Sequence, residues 1–322
     1  MYGHNPKDLK YRFQRVSPIH VSPHNPDVIY HASQYLHVTK DEGVTWETIS
    51  PDLTAFESDK QVISGSPITR DITGEEFYST IYSVRESSIE KGLIWVGAND
   101  GPVHVTSDGG KNWKNVTPNI NIKGGRVDSV EPSTHNSSKA FVTILRYQLG
   151  DWKPYIYRTY DKGNSWDLVT KGIPSDHPVR VLREDPKREG LLFAGTEFGM
   201  FISFDDGNTW NSFQQNLPVT PITDIKIHRN DVVLSTMGRS FWIMDNIDIL
   251  RNFDNKNEDI LYPISNTIRY RYRPSSSNHV SYPQNSVIID YKVVGESVEE
   301  ISVQIMDMND NLINSYKSRD RK

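Results

Sequence analysis

Apolar and polar residues alternate over short stretches along most of this chain, and turns rich in Gly, Asp, Asn and Pro separate the stretches. The alternation is clearest at residues 179–185, 191–197, 199–205 and 210–213, which follow one another closely. Alternation over roughly four to eight residues is typical of a half-buried strand. The pattern therefore predicts a small sheet of four antiparallel strands. Because similar stretches return along the chain, it also predicts an all-β protein.

A short motif, Ser/Thr-x-Asp-x-Gly-x-polar-Trp, marks the end of the third strand in four such units. The Asp is expected to accept hydrogen bonds from the backbone of a tight turn, and the Gly can adopt the positive φ that closes the turn. The Trp is expected to pack between layers while its indole N–H finds an acceptor. These structural motif residues are Asp41, Gly43 and Trp46; Asp108, Gly110 and Trp113; Asp161, Gly163 and Trp166; and Asp205, Gly207 and Trp210.

The spacing of the motif indicates the architecture. The four tryptophans lie 67, 53 and 44 residues apart, and a four-stranded repeat of about 40–50 residues is typical of a propeller blade. The predicted units cover residues 11–53, 79–118, 119–173, 174–217 and 218–250, and the last is degenerate because it lacks the motif. We therefore predict a partial β-propeller of about five blades within residues 1–254. Both an incomplete ring and an open arc fit this number, and we favour the incomplete ring.

The pattern changes after a polar linker at residues 251–258. Residues 286–293 and 301–306 alternate as strands, and residues 307–311 are typical of a hairpin turn. Residues 255–322 are therefore predicted to begin an Ig-like β-sandwich, with too few strands to close it.

Composition excludes several classes of function. A net charge of −5 over 322 residues is a poor match for nucleic acid. The absence of cysteine excludes disulfides and thiolate zinc sites. No apolar stretch approaches the length of a membrane span, and residues 1–8 lack the apolar core of an export signal. No phosphate-binding loop, Ser-His-Asp pattern or metal-ligand spacing stands out, so no cofactor and no metal are expected.

The chain resembles the Asp-box (BNR-repeat) β-propellers, in particular a bacterial sortilin-like and glycosyl-hydrolase-like group. Besides the turn motifs, the residues that carry the resemblance are 50–54, 64–69, 92–97, 153–157, 183–187 and 238–245. The resemblance covers nearly the whole chain. It implies the C-terminal part of a longer, usually exported protein, with upstream propeller blades as partners.

The resemblance implies two functions of different classes. The first is a binding scaffold, as in sortilin-like proteins, that presents a loop-built face to a glycan, peptide or protein. The alternative is a glycoside hydrolase that acts on polysaccharide, in which a second propeller completes the cleft. We favour the binding scaffold at this stage because the blade pattern is much stronger than any catalytic pattern.

Candidate site residues lie where loops between blades, and between second and third strands, converge on the propeller axis. The predicted ligand-binding residues are Glu76, Asp100, Arg126, Asp151, Trp152, Arg180, Glu197 and Arg239, with Tyr78, Asn99 and Asp128 beside them. Glycoside hydrolysis needs two carboxyl groups, for which Asp100 and Glu197 are the candidates.

Two other interpretations of these residues stay open. The acids and arginines could pair across blades and seal the ring. Alternatively, Arg126, Arg180 and Arg239 could clamp a carboxylate ligand, although the Arg-Ile-Pro signature of sialidases is missing. The four motif aspartates are predicted to be structural, because each is tied to its own turn.

Overall fold

The computed structural model describes residues 4–63, 77–119, 124–253, 258–264, 267, 286–295 and 300–317. The chain divides into two compact units, Met1–Ile247 and Asp248–Lys322. Strands dominate the described residues, which confirms the all-β prediction. The helical segments in them are three 3-10 turns, Pro6–Asp8, Ser58–Lys60 and Tyr147–Leu149, and the short helix α1, Asp248–Arg251.

The described residues of the first unit form five antiparallel sheets, and within each sheet the strands are adjacent in chain order. Sheet 1 consists of β1 (Ile19–Val21), β2 (Ile29–Ala32), β3 (Leu36–Thr39) and β4 (Glu47–Thr48). Sheet 2 consists of β5 (Ile81–Glu86), β6 (Ile94–Ala98), β7 (Val103–Thr106) and β8 (Lys114–Asn115). Sheet 3 consists of β9 (Arg126–Pro132), β10 (Ala140–Leu145), β11 (Ile156–Thr159) and β12 (Asp167–Leu168).

Sheets 4 and 5 follow the same order. Sheet 4 consists of β13 (Val179–Glu184), β14 (Leu192–Thr196), β15 (Gly199–Ser203) and β16 (Asn211–Ser212). Sheet 5 has three described strands, β17 (Ile222–His228), β18 (Asp231–Thr236) and β19 (Phe241–Met244), in agreement with the degenerate fifth unit. The first strands of all five sheets, β1, β5, β9, β13 and β17, line one axial cavity. Neighbouring sheets also pack through these strands, so the sheets are arranged radially, as the blades of a β-propeller are.

The core lies between successive sheets. Tyr30 and Leu36 of sheet 1 pack against Ile81 and Ile94 of sheet 2, and similar clusters join sheet 2 to sheet 3 and sheet 3 to sheet 4. The second strands of sheets 2, 3 and 4, such as Ile94–Ala98, are buried on both faces. The prediction of half-buried strands was therefore wrong for these strands, because a neighbouring blade covers each face.

The turn motif forms a closed set of local hydrogen bonds, as the third copy illustrates. Asp161 Oδ1 accepts from Thr159 Oγ1 at 2.7 Å and from the Ser165 amide at 2.9 Å, while Oδ2 accepts from Ser165 Oγ at 2.6 Å. Gly163 has φ of 84°, and its amide donates to Thr159 Oγ1 at 2.9 Å. The other three copies have equivalent bonds. The carboxylates of the motif are therefore occupied within their own turns.

The motif tryptophans join each blade to the one before it. The indole N–H of Trp113 donates to Ile49 O at 3.0 Å, that of Trp166 to Val116 O at 2.7 Å, and that of Trp210 to Val169 O at 2.9 Å. Each acceptor follows the last strand of the preceding sheet. Trp46, in the first sheet, instead donates to Gly43 O of its own turn and is 46% exposed.

The motif aspartates predict a defined response to acid. Hydrogen bonds from Ser165 and Thr159 lower the pKa of Asp161 to about 2. A carboxyl group whose pKa is lowered by folding stabilises the protein above its unfolded pKa of about 3.9, and this contribution is lost as pH falls through about 2. We expect Asp161→Asn to be less stable than the wild type at neutral pH, but to lose less stability as pH falls over this interval. Urea denaturation at several pH values measures both effects, with Asp27→Asn, at an exposed turn residue, as the control. Equal acid sensitivity in wild type and Asp161→Asn would contradict the assignment.

The second unit contains two described strand pairs. β20 (Ile260–Leu261) pairs with β21 (Tyr291–Lys292), and β22 (Ser302–Met306) pairs with β23 (Leu312–Lys317), both antiparallel. Asp307 Oδ1 accepts from the amides of Asn309 at 2.8 Å and Asn311 at 2.9 Å, which closes the predicted hairpin turn. The longer strand predicted at residues 286–293 is limited to β21, and the β-sandwich stays a prediction. No helix in the described ranges has both the length and the apolar character needed to cross a membrane.

Candidate functional site

One β-bulge in each of sheets 2 to 5 directs a side chain towards the propeller axis. Strand pairing skips Tyr82 in β5, Asp128 in β9, Arg180 in β13 and Thr223 in β17, so each is the extra residue of its bulge. All four line the axial cavity, which has a volume of about 680 Å³. Bulges are common next to active sites because they re-aim a side chain. A functional site is therefore expected around these residues.

Arginines and carboxylates at this position form a continuous chain of ion pairs. Arg180 Nη2 lies 2.6 Å from Glu197 Oε1, and Arg180 Nη1 lies 3.9 Å from Asp128 Oδ2. Arg126 donates to both oxygens of Asp128, at 2.9 Å from Nη2 to Oδ2 and through Nε to Oδ1. The set contains two cations and two anions. These four residues, called the axial cluster below, are therefore balanced in charge.

Burial makes the carboxyl group of Asp128 a weaker acid than an exposed aspartate. Its carboxyl group is removed from water, which raises its pKa, while the hydrogen bonds and charge of Arg126 oppose the rise. The nearby carboxylate of Glu197 raises the pKa of Asp128 further. A carboxyl group with a perturbed pKa in a cavity is a candidate for a functional role.

Aromatic side chains adjoin the axial cluster. The rings of Tyr147 and Trp152 lie 5.7 Å apart at 44°, and Trp152 is 47% exposed. The Arg180 guanidinium lies 5.8 Å from the centre of the Tyr147 ring, and that of Arg126 lies 4.5 Å from the Tyr82 ring. Tyr147 and Trp152 belong to the loop between β10 and β11. They place an open aromatic surface next to the charged groups.

A buried arginine anchors this aromatic loop. Arg146, 2% exposed, has its Nε 3.0 Å from Asp151 Oδ2, and the Tyr155 hydroxyl donates to the same oxygen at 2.7 Å. Asp151, predicted to bind ligand, is thus engaged in holding Trp152 in position.

The structure separates the other predicted residues from the axial cluster. Asp100 is 4% exposed, its pKa is raised by burial, and its Oδ2 accepts from the amides of Ala55 at 3.0 Å and Phe56 at 3.2 Å. Asp100 therefore anchors the segment after sheet 1, and its catalytic role stays a prediction. Arg239 is exposed in the loop between β18 and β19, and Glu76 lies outside the described residues. Of the predicted set, Arg126, Arg180 and Glu197 lie together.

Sequence reasoning missed Tyr82 and Tyr147. Tyr82 occupies the same position on its inner strand as Asp128 and Arg180, so an alignment of the inner strands would have found it. Tyr147 is close to Trp152 in the chain, in a loop already singled out. Within the described ranges, no three His, Asp or Glu side chains converge as metal ligands.

The chain is similar to known proteins both in sequence and in structure. The chain is 22% identical over 248 residues to an oligoxyloglucan-reducing end-specific xyloglucanase from Emericella nidulans, covering 66% of this chain and 29% of that protein. Among solved structures, it is similar to the GH74 xyloglucanase from Xanthomonas campestris, with a TM-score of 0.53, 16% identity, and coverage of 74% and 37% of the two chains. It is also similar to an ancestral GH74 enzyme, with a TM-score of 0.54, 14% identity, and coverage of 98% and 39%.

These similarities establish the β-propeller fold. The chain spans about a third of the length of the proteins it matches. No family model matches it.

Proposed function

We propose that this chain is the glycan-binding part of a glycoside hydrolase-like propeller protein, and that it contacts polysaccharide at the end of the axial cavity. The observation that carries the proposal is the aromatic pair of half-buried Tyr147 and exposed Trp152 next to the axial cluster. The similarity to xyloglucanases in sequence and in fold supports it, and makes a xyloglucan-type polysaccharide the first ligand to test.

The chemistry of the site favours a glycan over a peptide or protein. Flat aromatic rings offer apolar area at little conformational cost, and the apolar face of a sugar ring can lie on them. Arg126 and Arg180 still have N–H groups available to sugar hydroxyl groups beside their carboxylate partners. Because the axial cluster is balanced in charge, it favours a neutral ligand.

Removal of the Trp152 ring is expected to weaken this binding. We expect Trp152→Ala to reduce affinity for xyloglucan oligosaccharides by about tenfold or more, by the loss of one stacking surface worth about 1–3 kcal/mol. Isothermal titration calorimetry on the full chain measures it. Trp46→Ala is the matched control, since its ring is 46% exposed on the outer rim. Equal affinity of Trp152→Ala and Trp46→Ala would place the glycan elsewhere.

Hydrolysis is a second candidate function, favoured by the position of two carboxyl groups. Asp128 and Glu197, which lie on either side of Arg180, are the proposed pair of carboxyl groups. The samples used for the titrations can be assayed for release of reducing ends. Release that is abolished in Asp128→Asn and Glu197→Gln supports catalysis at this site, and release that is unchanged in both would refute it. Binding without release would leave glycan recognition as the function.

The half-exposed Trp46 of sheet 1 supports upstream blades as a further partner. Trp113, Trp166 and Trp210 each donate to the backbone of a preceding sheet, whereas Trp46 donates to its own turn and is half-exposed. A blade packed on sheet 1 would supply the equivalent carbonyl. In a longer protein containing these blades, we propose that Trp46 becomes buried.

A further inference from the structure

A second ring of polar residues lies one level along the axis from the bulges. His20, Arg85, Glu131, Arg183 and Lys226 occupy equivalent positions on the five inner strands, and they are called the inner ring below. Their partners on the adjacent strands are, in the same order, Tyr30, Trp95, Phe141, Phe193 and Val233. Each blade thus contributes one titratable side chain to the ring.

The inner ring lies between two cavities. His20, Arg85, Arg183 and Lys226 line both the axial cavity of about 680 Å³ and a second cavity of about 300 Å³. Glu131 lines the second cavity. Small solutes can therefore reach these residues from either side.

Two cations of the inner ring lack a close acidic partner. Arg183 is paired, with Nη2 at 2.7 Å from Asp224 Oδ1 and Nη1 at 3.4 Å from Glu131 Oε2. Arg85 Nε lies 4.0 Å from that same glutamate oxygen, and the Arg85 side chain makes no hydrogen bond within the described ranges. The Lys226 side chain lines both cavities and makes neither an ion pair nor a hydrogen bond with any described residue. Glu86 and Glu184 also line the second cavity, so the observation that matters is the unpaired state of the Arg85 and Lys226 side chains and not a surplus of positive charge.

His20 adds an unsatisfied polar atom at this level. Its Nε2 is buried and has no hydrogen-bond partner among the described residues. Burial, together with the charges of Arg85 and Lys226, lowers the pKa of His20 to about 4. The imidazole of His20 is therefore neutral at neutral pH, and its Nε2 can carry a hydrogen. A buried donor without an acceptor is unfavourable, and an incoming acceptor would remove that cost.

We propose that the inner ring binds a small oxyanion of the phosphate or sulfate class, held by Arg85, Lys226 and His20. The guanidinium of Arg85 has forked donors that match two oxygens of such an anion, and Lys226 supplies a point charge. This inference does not depend on glycan binding, which uses Tyr147, Trp152 and the axial cluster.

The test is calorimetric titration of the full chain with inorganic phosphate and with sulfate at constant ionic strength, with chloride as the reference anion. We expect one site per chain. Arg85→Gln and Lys226→Gln are each expected to reduce the affinity about tenfold or more, because each removes a charged donor. Lys226→Arg is expected to retain most of the affinity. The matched control is Lys171→Gln, which removes the same charge from an exposed position outside the ring and should change affinity less than about twofold.

Two results would overturn the proposal: no binding of either anion to the wild type, or equal affinity in Lys226→Gln and Lys171→Gln. Thermal denaturation without anion checks that the variants fold. Lys226 is exposed to the cavity, so its replacement tests the site even if Arg85→Gln does not fold.

A sugar phosphate that binds more tightly than inorganic phosphate, with the same sensitivity to Lys226→Gln, would show that the anion is carried on a larger ligand. Loss of glycan binding in Trp152→Ala with anion binding retained would show that the two sites are independent.

Discussion

Trp210→Ala is expected to lower the free energy of unfolding by about 3–5 kcal/mol. The ring is 3% exposed and packs in the cluster between sheets 3 and 4, and its indole N–H donates to Val169 O at 2.9 Å. Alanine would leave a large cavity and would also leave that backbone carbonyl without its donor. Urea denaturation monitored by circular dichroism measures the change.

Trp46→Ala is the matched control for this prediction. It removes the same side chain from the same motif, but its ring is 46% exposed and donates to its own turn. We expect a loss of less than about 1 kcal/mol. Similar losses in the two variants would mean that Trp210 does not join the blades.

Lys139→Met is expected to destabilise the protein by about 3–5 kcal/mol, because it leaves a buried carboxylate without its cation. Lys139 Nζ lies 2.7 Å from Glu184 Oε1, 3.0 Å from Glu189 Oε1 and 3.1 Å from Asp206 Oδ1. The side chains of Lys139 and Glu184 are both 0% exposed. The contact joins sheet 3 to sheet 4, so its loss should weaken the packing between the two blades.

Two further variants test whether an unpaired buried charge is the cause of the destabilisation in Lys139→Met. Lys139→Met combined with Glu184→Gln is expected to recover much of the loss, since no buried charge then lacks a partner. Lys162→Met breaks the pair between Lys162 and Glu90, which is 2.7 Å long but has both side chains 32% exposed, and is expected to cost at most about 1 kcal/mol. If the double variant were no more stable than Lys139→Met, unpaired charge would not be the cause.

The turn geometry was predictable because it is local. Asp161 reaches the Ser165 amide within one short segment, so the order of residue types alone is enough to specify the bond. The predicted blade boundaries rest on the same motif and on the alternation, and they stay predictions. The burial of the second strands on both faces could not be predicted from the motif or the alternation. Residues 94–98 are buried on both faces, and this depends on blades that are distant in the chain.

The site was predictable only in part. Arg126, Arg180 and Glu197 were predicted from strand ends and loop positions in the repeat, and they lie together in the structure, while their part in ligand binding stays a prediction. Asp100 was grouped with them, but the structure uses it to hold the amides of Ala55 and Phe56. The sequence contains no signal for that contact, since the two segments are far apart in the chain.

By itself, the sequence determined the strands, the turns and the radial repeat, since these depend on hydrogen bonds and alternation within about 50 residues. Only the tertiary structure decided which side chains face the axis. The bulges at Tyr82, Asp128 and Arg180 re-aim their side chains, and the ring of His20, Arg85, Glu131, Arg183 and Lys226 exists only because five separate strands meet at one axis. The charges around the axis come from side chains of several blades, so the sequence of a single repeat does not predict how they are paired.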